Sequence, residues 1–413
     1  MIKKAFFPML CCLFIQNSLF INANTPLFRL GLENINENTV KQINLNKDKV
    51  GLITNQTGVD QNKNRNIDIL KKYFNLDVIF VPEHGLAGKT HAGNDVGNTV
   101  DTRTDIKVIS LYKSGGFKAP NKEELKDIYS LIFDIQDSGM RHYTYISTLY
   151  RILEAAGKYN KRVIVLDRPN PLGSSMEGPL VEPGLESFIS IAPIPLRHGM
   201  TIGELARYFN KHLLEDKVHL TIIPMTNYDR TIGIEGDLLV PLSPNINTIN
   251  SCYGYSFLGL LGEIKPFNVG VGTQKSFQCV LIPSKIKFSS TKWKTFKEIL
   301  DKFDVEYDKK IFRSKKRSKK YKGLALKFKD ISNFQSTNTL ISLLDFFKRC
   351  GIKYSYAGSF DKATGTKDFK KLIEGKISRW RFAKQVNSDL NDFYKKASSC
   401  FIYNPNPKIV KIA

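Results

Sequence analysis

Through the first 250 residues, apolar positions gather into short runs at 50–53, 76–81, 106–111, 131–135, 162–166 and 218–223. Runs of that length, with little internal alternation, read as strands buried on both faces. Between them the spacing changes. Ile146, Leu149, Leu153 and Ala156 mark one face of a helix over 144–159. Thr201 with Glu204 three residues on is a capping box opening a helix over 201–210. Shorter helices are expected at 67–73 and 123–128. Apolar strands separated by helices predict a parallel sheet covered on both sides, the α/β class. Four strands each end in a cluster of polar, Gly or Pro residues, and in such sheets ligands lie outside the carboxyl ends of the strands. The densest cluster follows 131–135, where Asp137, Arg141, His142, Tyr143 and Tyr145 precede a helix. Beyond residue 249, strand-like runs at 278–282 and 324–328 alternate with helices at 340–349 and 368–373. This predicts a first domain over 24–248 and a smaller α+β domain over 249–413.

Composition adds three points. With 42% hydrophobic and 24% charged residues the chain is an ordinary globular one, not a disordered one. At the N-terminus, Lys3 and Lys4 precede an apolar run from Ala5 to Leu13, and Ala23 offers a small residue for cleavage. That is the layout of a signal peptide over 1–23, so an exported, periplasmic or envelope-associated protein is expected. Gln16-Asn17-Ser18 interrupts the run before it reaches the roughly 20 apolar residues of a membrane span. The net charge is +23, part of it in the run from Lys309 to Lys322. The plain reading of that run is a solvated face; the sharper one is attraction to an anionic envelope surface. No zinc finger, RNA-binding aromatic motif or basic heptad accompanies it, so no nucleic-acid partner is expected.

Several chemistries are not supported by motif. The βα turns lack the dinucleotide glycine fingerprint and there is no P-loop, so no nucleotide cofactor is expected; Gly270-Val271-Gly272 lacks the third glycine. There is no Gly-x-Ser-x-Gly elbow. Cys252, Cys279, Cys350 and Cys400 show no C-x-x-C spacing and are expected to be small buried apolar residues. His84, His91 and Asp95 fit no standard metal spacing.

Read in order, the motifs resemble a known family. Gly51-Leu52-Ile53-Thr54-Asn55-Gln56-Thr57-Gly58, Pro82-Glu83-His84-Gly85 and Phe133-Asp134-Ile135-Gln136-Asp137 come first. Arg141 with Tyr143-Thr144-Tyr145, Asp167-Arg168-Pro169-Asn170-Pro171, Glu177-Gly178-Pro179 and Arg197-His198-Gly199-Met200-Thr201 follow. Phe360-Asp361, Gly365-Thr366 and Phe401-Ile402-Tyr403 close the series. Together they resemble the exo-acting β-N-acetylmuramidases, the YbbC-like or NamZ-type family. The resemblance implies a Rossmann-like catalytic domain with an auxiliary domain. It also implies release of N-acetylmuramic acid from the non-reducing end of peptidoglycan fragments, without metal or nucleotide cofactor.

Glycoside hydrolysis needs a carboxyl to protonate the leaving oxygen and usually a second as nucleophile or base. Glu83, following a buried strand and Pro82, is the first candidate, and Asp137 on the next cluster is the second; each could instead brace its loop. Glu177 is a further candidate, for substrate hydroxyls or as the partner carboxylate. The lactyl carboxylate of muramic acid calls for a cation, with Arg141 and Arg168 as candidates. Tyr143 and Tyr145 could stack on a sugar, and Asn55, His84, Asp167, Asn170 and His198 complete the expected substrate contacts. One segment departs. Where the family reads Glu-Gly-Arg-Gly-Thr-Thr-Arg-Pro-Phe-Glu, this chain runs from Val269 to Gln278 with two carboxylates and one arginine lost and the other arginine replaced by Lys275. The alternative is therefore a non-catalytic sugar-binding envelope protein of the same descent.

Overall fold

A computed structural model describes residues 27–45, 48–91, 93–113, 116–231, 233–234, 236–313, 320–329, 331 and 334–413. The expected signal at 1–23 and the middle of the basic run, 314–319, lie outside these residues.

The first half contains β1 (Lys49–Thr54), β2 (Asn75–Val81), β3 (Thr99–Asp101), β4 (Ile106–Ser110), a small hairpin of β5 (Tyr112–Lys113) and β6 (Gly116–Phe117), β7 (Ser130–Asp134), β8 (Arg162–Leu166), the short β9 (Ser175–Met176) and β10 (Leu220–Ile223). One seven-stranded sheet runs β10-β8-β7-β1-β2-β4-β3. All neighbours are parallel except β3, which pairs antiparallel with β4 at the edge. Counted along the chain, the parallel strands lie in the order third, second, first, fourth, fifth, sixth, the doubly wound Rossmann arrangement. The topology reverses between β1 and β7.

The largely apolar runs have a direct cause. Ile53, Phe80, Phe133 and Val165 point to one face and pack under α3 (Tyr145–Lys158) and α4 (Ile202–His212). Leu52, Ile79, Ile132 and Ile164 point to the other, under α1 (Glu37–Ile43) and α2 (Asn66–Leu70). Alternate side chains of a strand reach opposite faces, so a sheet covered twice removes the polar alternation. The capping box of α4 forms as expected: the Thr201 hydroxyl accepts from the Glu204 N–H at 3.2 Å, and the Glu204 carboxylate accepts from the Thr201 N–H at 3.0 Å. The helix expected at 123–128 does not form; those residues are turns with mixed i→i+3 and i→i+4 bonds.

The second half carries α5 (Ile249–Gly262), β11 (Ile264–Lys265), β12 (Cys279–Pro283), α6 (Ser290–Asp301), β13 (Val305–Arg313), β14 (Lys320–Phe328), α7 (Ser336–Arg349), β15 (Ser355–Tyr356), α8 (Phe360–Thr364), α9 (Asp368–Glu374), α10 (Arg379–Ala397) and β16 (Lys408–Ile409). An antiparallel sheet, β12-β14-β13, packs with α5, α6 and α7. The end of the chain returns to the first half: β16 pairs with β9, and the Tyr403 hydroxyl donates to Asp167 Oδ2 at 2.7 Å. Cys252, Cys279 and Cys400 are buried.

Candidate active site

A cavity of about 600 Å³ opens between the two halves, within the size range of small-ligand sites. One wall comes from the end of β2, with Glu83 and His84, and from the connection between β7 and α3, with His142, Tyr143 and Thr144. The opposing wall comes from α5, with Tyr255 and Gly259, from Glu263 at its end, and from Lys265 on β11. Val269 and Val271, in the departing segment, complete that side.

Glu83 is held at the cavity edge by both oxygens. Oε1 accepts from the Gly93 N–H at 3.1 Å, and Oε2 accepts from the Thr144 hydroxyl at 3.0 Å. His84 adopts a left-handed backbone (φ 72°), followed by Gly85 (φ 71°), so the chain turns sharply straight after β2 and presents the Glu83 side chain to the cavity. The His84 Nδ1 lies 2.6 Å from the Thr90 carbonyl oxygen. Tyr143 donates its hydroxyl to the Leu242 carbonyl at 2.9 Å and packs edge-on against Tyr145 and Tyr255. Burial, and then the nearby charge of Glu83, raise the Tyr255 hydroxyl well above its usual pKa, so it is a neutral group on the wall.

His142 lies against Tyr255, ring centroids 4.7 Å apart, with neither ring nitrogen bonded and both sealed from solvent. Burial pushes its pKa down to about 3 from 6.5. The unfolded chain therefore binds a proton below pH 6.5 that the folded chain refuses, and stability falls as pH drops from 6.5 towards 3. His142→Phe removes that penalty. Relative to its position at pH 8, the variant should gain about 2 kcal/mol on the wild type at pH 5. Urea unfolding at both pH values checks this, and equal acid sensitivity of the two proteins would contradict it.

The other expected site residues do not line this cavity. Asp137, expected as the second catalytic carboxylate, braces its own turn: Oδ2 accepts from the Gly139 N–H at 2.7 Å and lies 3.3 Å from His198 Nε2, while Oδ1 is buried without a partner. His198 thus orients Asp137 inside the protein. Arg141 is fully buried. It donates to Ser190 Oγ at 3.1 Å and to the carbonyls of Pro179 at 2.6 Å, Ile194 at 2.8 Å and Ala363 at 3.2 Å. Every arm of the guanidinium is used, and a substrate carboxylate has no access to it. Arg168 forms a buried ion pair with Asp134 at 2.6 Å. Asp167 accepts from Thr201, Gly203 and Tyr403 and fastens the end of β8 to α4 and the C-terminal segment. Asn55 and Asn170 brace turns, accepting from the N–H groups of Thr57 and Leu172, both at 2.9 Å.

Glu177 is buried at the N-terminus of α7. Its Oε1 accepts from the Ser336 N–H at 2.6 Å and from the Ser336 hydroxyl, with Arg197 at 3.7 Å. A carboxylate there satisfies the unbonded first N–H groups and the positive end of the helix dipole. Arg141, Asp167 and Glu177 are turned away from the cavity for one reason: the second half packs on the same sheet edge. These three join the two halves, Asp137, His198, Arg168, Asn55 and Asn170 make their bonds within the first half, and the ends around β2 and the β7–α3 connection are left open.

Sequence reasoning pointed to the segment around Gly270 but missed Tyr255, Glu263 and Lys265 on the opposing wall. Residues 238–262 contain no charged side chain, and Glu263 and Lys265 end that silence. A carboxylate and an ammonium two residues apart after 25 uncharged residues was the available signal. Among the described residues no group of three or more His, Cys, Asp or Glu is arranged to hold a metal ion.

A Rossmann-like sheet edge faces the second half across a cavity that two carboxylates line, a layout that suits a two-domain α/β glycosidase. Residues 50–250 match the family described as exo-β-N-acetylmuramidase NamZ, N-terminal, and residues 253–403 match its C-terminal counterpart; the chain belongs to that family and is a glycosidase. It is 35% identical over 396 residues to the peptidoglycan β-N-acetylmuramidase NamZ of Bacillus subtilis, covering 92% of each chain. Two crystal structures of DUF1343 family proteins from Bacteroides fragilis superpose on it. The first has a TM-score of 0.77 at 29% identity, covering 91% of this chain and 99% of the other. The second has a TM-score of 0.70 at 26% identity, covering 92% and 100%.

Proposed function

We propose that this protein is an exported hydrolase that releases N-acetylmuramic acid from the non-reducing ends of peptidoglycan fragments. The observation that carries the reading is that two carboxylates, Glu83 from the first half and Glu263 from the second, line one cavity of sugar size. Glu83 protonates the glycosidic oxygen as the bond to the anomeric carbon breaks, and the second carboxylate assists the incoming water or stabilises the developing positive charge. Thr144 and the Gly93 N–H hold Glu83 in place for that transfer. Lys3, Lys4 and the apolar run after them support export to the compartment where such fragments lie.

Two disaccharides test it. The full chain should split one with muramic acid at its non-reducing end and leave one with N-acetylglucosamine there intact. The replacement of the family's charged residues by Val269 and Val271 on the cavity wall favours one other reading, a sugar-binding protein without turnover. Binding of the muramic-acid disaccharide with no product at any pH would establish that reading instead.

A further inference from the structure

The cavity wall carries two acidic side chains, Glu83 and Glu263, and among the described residues one Lys or Arg, Lys265. A muramic-acid end brings a third carboxylate, on its lactyl arm, into the same space. Like charges in a partly enclosed site repel strongly unless a cation lies among them. We propose that Lys265 binds the lactyl carboxylate and so selects muramic-acid ends over N-acetylglucosamine ends. The inference rests on the muramidase reading above and names the residue behind its specificity.

Three observations converge on Lys265. The arginines at the strand ends are spent: Arg141 on Ser190 and three carbonyls, and Arg168 on Asp134. Of the two cavity histidines, burial keeps His142 neutral, and His84 directs its Nδ1 to the Thr90 carbonyl 2.6 Å away. Lys265 is also positioned by its strand. It pairs with Ser355 while its neighbour Ile264 is fully buried. Adjacent residues of a strand face opposite ways, so the burial of Ile264 turns the Lys265 side chain out to the cavity. It is exposed and in no ion pair among the described residues. The neighbouring Glu263 is occupied by the Ser359 hydroxyl, which donates to its Oε2 at 2.6 Å. A compact, mobile ammonium suits a carboxylate on a rotatable lactyl arm.

The test compares wild type, Lys265→Met and Lys265→Arg on the muramic-acid disaccharide and on its lactyl methyl ester, which has the same shape without the charge. Lys265→Met should raise KM for the acid by about tenfold or more with kcat nearly unchanged, the loss expected for one charge-assisted hydrogen bond. The wild type's preference for acid over ester should collapse towards parity in Lys265→Met and survive in Lys265→Arg. Because the residue is exposed, melting temperatures should match. An unchanged acid-to-ester ratio in Lys265→Met, or a KM that rises equally for both, overturns the proposal. Calorimetric titration with N-acetylmuramic acid and its methyl ester keeps the two claims apart. If the wild type turns over neither disaccharide the muramidase reading fails, and the titration still judges Lys265 by whether Met at 265 weakens binding of the acid alone.

Discussion

Glu83→Gln should lower kcat on a muramic-acid disaccharide by about 10²–10⁴-fold, the contribution of a positioned general acid, while KM stays near the wild-type value. Glutamine has the same length: its oxygen can accept from the Gly93 N–H and its NH2 can donate to the Thr144 hydroxyl, which then accepts, so the loop after β2 should hold its shape. What it loses is the proton. The leaving group therefore discriminates between a chemical and a structural effect. A sugar alcohol needs protonation as the bond breaks, whereas a nitrophenolate leaves without it. On a nitrophenyl β-muraminide the same variant should retain far more of the wild-type rate. Equal losses on both substrates would assign Glu83 a role other than acid, and no loss on either would remove it from the chemistry.

Arg141→Ala should unfold or severely destabilise the protein and should not act as a binding mutation. The guanidinium satisfies the carbonyls of Pro179, Ile194 and Ala363 and the Ser190 hydroxyl in a site without solvent access. A buried acceptor left unbonded costs about 1–3 kcal/mol, and several are orphaned together. A loss of about 4 kcal/mol or more is expected. The Ala363 carbonyl belongs to α8, so the same residue joins the wall carrying Glu83 to the wall carrying Glu263. The guanidinium also packs where Gly365, at φ 77°, has no side chain: a Cβ there would lie 2.5 Å from Nη2. Arg141→Lys should fail as well, because one ammonium cannot reach acceptors arranged around a planar fork. A folded Arg141→Ala protein with unchanged melting temperature and a raised KM would restore Arg141 as a substrate ligand.

Arg141 also shows where reading the chain alone succeeds and where it stops. The sheet was legible because β1, β2, β7 and β8 are apolar on both faces and each ends in a polar cluster, so strand identity and the functional edge followed from local pattern. The fate of each polar residue on that edge was not legible. Arg141 meets Ala363 at a separation of 222 residues, Glu177 meets Ser336 at 159, and Asp167 meets Tyr403 at 236. A buried Arg with four acceptors and an exposed Arg awaiting a carboxylate look the same along the chain. Glu83 differs because its stabilising groups are modest and it remains at the cavity.

In the second half the misses have other causes. β13 carries Glu306, Asp308, Lys309 and Lys310 along an edge strand, which masks a strand pattern. α10 was not read either, although Phe382, Val386, Leu390 and Phe393 form a buried stripe at helical spacing behind a Ser378 cap.

The cavity between the two halves is not alone at the sheet edge. A second, about 460 Å³, is lined by Phe28, Gln136, Arg168 and Tyr228 near the point where the strand order reverses, the place where doubly wound folds commonly bind ligands. The most direct measurement is therefore a crystal structure of the Glu83→Gln protein with the muramic-acid disaccharide. The account places the muramic ring between Tyr255 and the β7–α3 connection, the glycosidic oxygen against residue 83, and the lactyl carboxylate on Lys265. Density for the sugar in the cavity at Phe28, Arg168 and Tyr228 would contradict it.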